Sequence, residues 1–312
     1  MLRPFHPVLA CAAWLTATAA MAQTAPVRAN VALTTGDAEK QAFAFVTNYA
    51  ASTTKIDQVP RWRDPVCAQV IGLPADQAAQ VKARVEEVAR AVGLRTGAAD
   101  CTADIEIAFA AEPQRLVDKF VKNREWILGY RYADPKATLV TRPIQAWYAT
   151  ATLGGPGSGV AWQFAYTGVP SQSGGNPTQI EKRVLDRPES WSPTGCGDST
   201  FTSCLQSIFA NVFIVVDTSK VQGKSVGVLS DYVAMLALSE PRSLDSCQTL
   251  PSVTDLLVSG CAGGARDGLT PADAAYLTAL YQANPEARKV NEQAEIADRM
   301  AKMLVSSGAA AR

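Results

Sequence analysis

Histidine is missing from all but the first few residues of this sequence. His6 is the only histidine among 312 residues, and it lies in an N-terminal segment that has the features of a cleaved leader. A serine triad or a cysteine–histidine dyad needs an imidazole as its base, and histidine is a common ligand of zinc. Composition therefore excludes histidine-dependent hydrolysis and histidine-ligated metal sites in the mature protein.

An excess of charge of either sign is also missing. The chain has 29 basic and 29 acidic residues, and loss of residues 1–22 removes only Arg3, which leaves 28 against 29 and a net charge near −1. A chain this balanced lacks the basic surface that binds nucleic acid, so we predict no nucleic-acid partner. The sequence indicates no other partner. Beyond the leader, no run of residues has the roughly 20 apolar positions of a transmembrane anchor.

The N-terminal segment has the pattern of a secretory signal peptide. Arg3 precedes the apolar run Val8 to Ala20, and a small-x-small cleavage site ends at Ala22. The apolar run is shorter than the roughly 20 residues that span a bilayer. We predict cleavage near Ala22 and a periplasmic or secreted mature protein.

Six cysteines remain after cleavage, an even number that is typical of disulfides in an oxidising compartment. Short loops close at the lowest entropic cost, so pairing between nearest neighbours is favoured. A zinc site is disfavoured, because the sequence has no C-x-x-C pair and the mature chain has no histidine to complete one. The predicted disulfides are Cys67–Cys101, Cys196–Cys204 and Cys247–Cys261.

The distribution of apolar residues predicts an α+β fold with a mixed sheet and packed helices. We expect a flexible lead-in at 23–36, a single domain at 37–305 and a flexible tail at 306–312. Residues 41–49 fit a strand or a helix, since periodicity does not decide between them. The other predicted elements are helices at Pro74–Val92, Glu112–Asn123, Thr270–Tyr281 and from Asn284 onward, and strands at Ala103–Ala110, Pro143–Leu153 and Val160–Tyr166.

Two helical details depend on particular residues. Thr270 and Asp273 form a capping-box pattern at the start of one helix. The last helix is predicted to bury one face, made of Val290, Ala294, Ala297, Met300 and Leu304.

The stretch from Asn211 to Glu240 predicts a buried strand, a glycine-containing loop and a helix whose first turn is Ser230-Asp231-Tyr232. Gly223-Lys224-Ser225 lies where a phosphate-binding loop would lie. That motif requires a glycine five positions before Gly223, and Thr218 occupies the position. We therefore do not predict a phosphate site.

The order of patterns in residues 205–283 resembles the metzincin zinc peptidases of the matrixin type. Residues 227–240 are similar to the helix H-E-x-x-H-x-x-G-x-x-H of that family, and 269–281 are similar to its closing helix. Pro251-Ser252-Val253 lies where the family places its methionine turn. The resemblance implies a zincin-like core. The chain as a whole also resembles the secreted proteins without assigned activity that are common in Gram-negative bacteria.

Compared position by position, the resemblance implies a lost zinc site. Ser230, Ala234 and Glu240 occupy the three ligand positions, and Asp231 occupies the position of the general base. Catalytic zinc usually has three protein ligands and a water molecule, and one carboxylate does not replace them. We therefore predict no metal, no cofactor and no catalytic residue at this helix. A plain buried helix, without this ancestry, explains its apolar residues equally well.

Two functions remain open. The first is a non-catalytic, pseudo-peptidase-like protein with a binding or structural role, and its candidate groove comprises Ser230, Asp231, Tyr232, Ala234 and Glu240. The second is a carboxylate-dependent hydrolase of glycan or peptide bonds. Arg61-Trp62-Arg63 is compatible with a ligand contact, and we favour a structural corner for it, since arginine packs readily on aromatic rings.

Overall fold

The strand β4 (Leu205–Asp217) is buried along its whole length and lies inside a four-stranded sheet. Its even-numbered residues from Val212 to Val216 pack into the larger core, and Phe213 and Val215 pack into a smaller core on the opposite face. A strand covered on both faces reads as a continuous apolar run, which explains the sequence of β4. The computed structural model describes residues 34–53, 56–123, 127–128, 136–154, 205–261 and 268–308.

The sheet is mixed, as the sequence predicts, and its strand order is β1-β2-β4-β3. The strands β1 (Ala68–Ile71), β2 (Ile105–Ala110) and β4 are parallel to one another, and β3 (Ile144–Gly154) pairs antiparallel with β4. Parallel neighbours need a crossover connection, and α2 (Ala75–Ala91) supplies it between β1 and β2. The sequence analysis did not predict β1, which has only four residues.

Six α-helices surround the sheet in the part of the chain that the structure describes. The helix α3 (Pro113–Asn123) contributes Val117 to the smaller core, and the remaining helices contribute to the larger one. These remaining helices are α1 (Thr35–Tyr49), α2, α4 (Val226–Leu238), α5 (Pro271–Gln282) and α6 (Lys289–Ser306). Residues 41–49, which periodicity did not decide, are helical.

The start of α4 corrects the sequence prediction. The helix begins at Val226, and the hydroxyl of Ser225 accepts the N–H of Val228 as its N-cap. Ser230-Asp231-Tyr232 therefore lies in the second turn rather than the first. The prediction was wrong because α4 is apolar on every side, and an all-apolar helix has no periodic signal that marks its beginning.

The last helix also differs from its prediction. It begins at Lys289, a turn later than Asn284-Pro285-Glu286, and Val290 and Ala294 are exposed. The buried face instead carries Glu292 and Gln293, followed by Ile296, Ala297, Met300, Ala301 and Leu304. The capping box of α5 is confirmed, with the Thr270 hydroxyl accepting the Asp273 N–H at 3.1 Å.

Arg61 and Trp62 form a structural corner rather than a ligand contact. The Arg61 guanidinium pairs with the fully buried carboxylate of Glu292 and donates to the carbonyls of Leu280 and Ala283 at 2.7 and 3.0 Å. This ion pair joins the segment before β1 to α5 and α6. The structural interpretation of Arg61-Trp62-Arg63 is therefore confirmed for its first two residues.

The disulfides Cys67–Cys101 and Cys247–Cys261 are both formed, as predicted. The first joins the start of β1 to the segment before β2, and the second closes the segment that contains the 3₁₀ helix Val253–Leu257. Four predictions lie outside the described residues: the signal peptide, most of the lead-in, the strand Val160–Tyr166 and the Cys196–Cys204 pair. Of the helices that are described, none has both the length and the apolar character of a membrane span.

Candidate functional site

A recess of about 290 Å³ opens beside the edge strand β3. Its walls come from residues between 136 and 142, from β3 residues 145–148 and from the segment 240–244 that follows α4. Side-chain hydrogen bonds hold the first wall against β3, since Gln145 donates to Leu139 at 2.8 Å and Trp147 donates to Ala137 at 2.8 Å. The recess therefore has a fixed floor and two walls that are distant in the sequence.

The second wall is fixed to the first by an ion pair. The guanidinium of Arg142 donates two hydrogen bonds to Asp245, at 2.9 and 2.6 Å. Hydrogen bonds from Arg142 and its positive charge hold the pKa of Asp245 below its ordinary value. Asp245 directly precedes the segment closed by Cys247–Cys261, so the disulfide also supports this wall.

Glu240 lines the recess, and the other four predicted groove residues do not. Ser230 and Ala234 are fully buried, and the Ser230 hydroxyl donates to the Val226 carbonyl one turn earlier in α4, at 2.6 Å. Tyr232 is also buried, and burial raises its pKa well above the ordinary value against the opposing charge of Arg142. The structure therefore places these three side chains in the core.

Asp231 is bound to two other elements of the fold. Its Oδ1 accepts a hydrogen bond from Arg84 Nε of α2 at 2.5 Å, and its Oδ2 accepts the N–H of Leu269 at 3.1 Å. Gly268 packs so closely that a Cβ atom there would overlap Oδ2 of Asp231. The carboxylate thus connects α2, α4 and the segment before α5, and only 7% of the residue is exposed.

The C-terminal end of α4 is closed by aromatic side chains. The last carbonyls of a helix have no partner within it, and here three aromatic residues from other elements donate to them. Tyr148 donates to Leu236 and Ser239, Trp62 donates to Ala237, and Tyr281 donates to Leu238, over distances of 2.7 to 3.2 Å. This end of α4 is therefore built into the core immediately before Glu240.

In the loop between β4 and α4, Ser219 and Lys220 are both bound to Asp217. The Ser219 hydroxyl donates to Asp217 Oδ1 at 2.6 Å, and Lys220 Nζ lies 3.2 Å from Asp217 Oδ2. Burial alone would raise the pKa of Asp217, but the hydrogen bonds from Ser219 and Lys220 hold it below its ordinary value. The three side chains form a turn that closes the end of β4.

Acidic residues are sparse around the recess. Among its described lining residues, Glu240 is the only carboxylate, whereas hydrolysis of a glycosidic bond commonly uses two. Within the part of the chain that the structure describes, no group of three or more His, Cys, Asp or Glu side chains is arranged to hold a metal ion.

Comparisons with protein-family models, curated proteins and solved structures found no match to this chain. Over the described residues, fold and site together define an α+β protein with a mixed four-stranded sheet, two disulfides and a recess at one sheet edge. The sequence analysis identified one residue of that recess, Glu240. It missed Arg142 and Arg242, because no sequence pattern connects positions 100 residues apart.

Proposed function

We propose that this chain is an exported, non-catalytic binding protein with a zincin-like core. The observation that carries the proposal is the state of Asp231, which occupies the position of the general base in the metzincin comparison. A general base needs a free lone pair within hydrogen-bond reach of the substrate. Both oxygens of Asp231 instead accept hydrogen bonds from the fold, from Arg84 and Leu269.

The ligand positions support the same proposal. Ser230 and Ala234 are fully buried, and the Ser230 hydroxyl is satisfied inside its own helix. Glu240 lines the recess, two residues after the last residue of α4. The order β4, α4 and α5, with Pro251-Ser252-Val253 between the two helices, is the order that the resemblance to metzincins implies. In this proposal the chain keeps the metzincin order of elements, and the residues at the former zinc-ligand positions of α4 belong to the core.

Export is supported by the covalent framework. Disulfides form and persist in oxidising compartments, and Cys67–Cys101 and Cys247–Cys261 are both formed. A leader with a cleavage site near Ala22 is the sequence feature that agrees with them. We propose a periplasmic or secreted location on these grounds.

A structural role for Asp231 makes a measurable prediction. Asp231→Ala should lower the free energy of unfolding by about 2 kcal/mol, because it removes a charged hydrogen bond and leaves the Leu269 N–H unpaired. A double-mutant cycle with Arg84→Ala, followed by urea unfolding, should give a coupling energy of about 1 kcal/mol. Glu87→Ala is the matched control, since Glu87 pairs with the same arginine at the surface, and we expect a change below about 0.5 kcal/mol.

A catalytic Asp231 would behave differently. Active-site groups often reduce stability, so their removal leaves stability unchanged or raises it while activity is lost. If Asp231→Ala had that effect on stability and also abolished hydrolysis of casein or of a chitin oligosaccharide by the purified protein, the proposed function would be wrong.

A further inference from the structure

Arg242 is a cation of the recess that has no carboxylate partner among the described residues. Its backbone N–H donates to the Tyr49 carbonyl at 2.6 Å, and its guanidinium donates to the Ala50 carbonyl at 3.2 Å. These bonds attach the residue to the end of α1 while the side chain remains exposed. Arg142, in the same recess, forms an ion pair with Asp245. Arg242 therefore presents an anchored guanidinium whose charge is not neutralised.

A guanidinium in this state is suited to one kind of ligand group. Its planar donors match the two oxygens of a carboxylate, and such charge-assisted bonds are stronger than neutral ones. The neutral polar side chains of the recess are already used by the fold, since Gln145 bonds to residues 139 and 141 and Ser243 bonds to Asp245. Of the other two cations that line the recess, Arg142 pairs with Asp245, and Lys136 also has an interaction of its own. Recognition of the charge of a ligand therefore falls mainly to Arg242.

The recess also has an apolar side. Leu139 is 49% exposed and lines it, although large apolar side chains with this exposure are few in the described residues. Leu244 and Trp147 line the same space. An apolar rim beside an unneutralised cation indicates a ligand with an apolar body and an anionic end.

The volume of the recess and its charged side chains restrict the class of ligand further. A volume of about 290 Å³ lies at the lower limit of ligand pockets, about 300 to 1,000 Å³, and it suits a small molecule rather than a folded partner. Arg142 is paired with Asp245, which leaves the Arg242 guanidinium to meet the ligand. One guanidinium matches the two oxygens of one carboxylate, which favours a monocarboxylate over a dicarboxylate.

We propose that the recess binds a small monocarboxylate with an aliphatic or aromatic body, held by Arg242 at its carboxylate and by Leu139 and Leu244 at its body. This proposal rests on the non-catalytic binding function and specifies its ligand class.

Isothermal titration calorimetry on the mature protein tests it with three probes of equal length: octanoate, octanamide and octylamine. Octanoate should bind at one site, and octanamide and octylamine should bind at least about tenfold more weakly. Octanamide offers Arg242 one neutral acceptor in place of two charged oxygens, and octylamine is a cation that Arg242 repels. Arg242→Gln should weaken octanoate about tenfold and octanamide much less. Leu139→Ser should weaken both.

Arg115→Gln is the matched control, because Arg115 is a highly exposed arginine that pairs with Glu112 outside the recess. It should leave octanoate binding unchanged. The proposal is wrong if octanoate shows no saturable binding, if octylamine or octanamide binds as tightly, or if Arg242→Gln and Arg115→Gln have equal effects. A negative result here rejects the ligand class alone, because the Asp231 cycle tests the non-catalytic role separately.

Discussion

Glu292→Ala is expected to lower the free energy of unfolding by about 3 to 5 kcal/mol, which is the usual cost of removing one partner from a buried ion pair. The substitution leaves the Arg61 guanidinium charged and buried without its partner. It also leaves the Val59 N–H without its acceptor, since that group donates to Glu292 Oε2 at 2.8 Å. Both losses occur where α6 meets the segment before β1.

Urea unfolding followed by circular dichroism measures this change. Lys302→Ala is the matched control, because Lys302 and Asp298 form an exposed ion pair on the same helix. Exposed ion pairs contribute little to the free energy of unfolding, so we expect Lys302→Ala to change it by less than about 0.5 kcal/mol. Combining Arg61→Met with Glu292→Met should recover part of the loss, since an apolar pair of similar volume avoids buried charge. A loss below about 1 kcal/mol for Glu292→Ala would show that the pair is not buried as described.

Gly72→Ala is expected to cost about 3 to 5 kcal/mol, from a left-handed backbone and an overpacked contact together. Gly72 follows β1 with a φ of 86°. An added Cβ would overlap the carbonyl oxygen of Phe109 and lie 2.9 Å from its carbonyl carbon. Because Phe109 belongs to β2, the clash would push apart the first two strands of the sheet.

Gly93→Ala separates the two causes. Gly93 ends α2 with nearly the same φ, 87°, and an added Cβ would meet nothing within 4 Å. It should therefore cost only the conformational part, about 1 kcal/mol. Urea unfolding of both variants measures the difference between them. Equal losses for Gly72→Ala and Gly93→Ala would contradict the close approach of Gly72 to β2.

Periodicity predicted the elements that have one clear buried face. The valines of α2 repeat at helical spacing and are buried, and β2 alternates in the sequence and pairs as a strand. The start of α5 was predicted because its capping box is a local pattern of hydrogen bonds. The Cys67–Cys101 and Cys247–Cys261 pairs followed from loop length.

Elements whose character depends on distant residues were not predictable in the same way. The buried face of α6 includes Glu292. A buried carboxylate is stable there because it pairs with Arg61, which lies 231 positions earlier in the chain. The recess was not predicted for a related reason, since it combines residues near 140 and near 242. Only their packing reveals that Arg242 has no counter-ion within the described part of the chain and that Asp231 has one.

The zinc content of the purified mature protein tests the central claim, that α4 is a core element with a lost metal site. The protein is dialysed against micromolar zinc, passed through a desalting column and measured by mass spectrometry of the metal. We expect no stoichiometric zinc, because Ser230 and Ala234 offer no ligand and Asp231 is bound to Arg84 and Leu269. About one equivalent of zinc per chain, lost in Glu240→Gln, would contradict it.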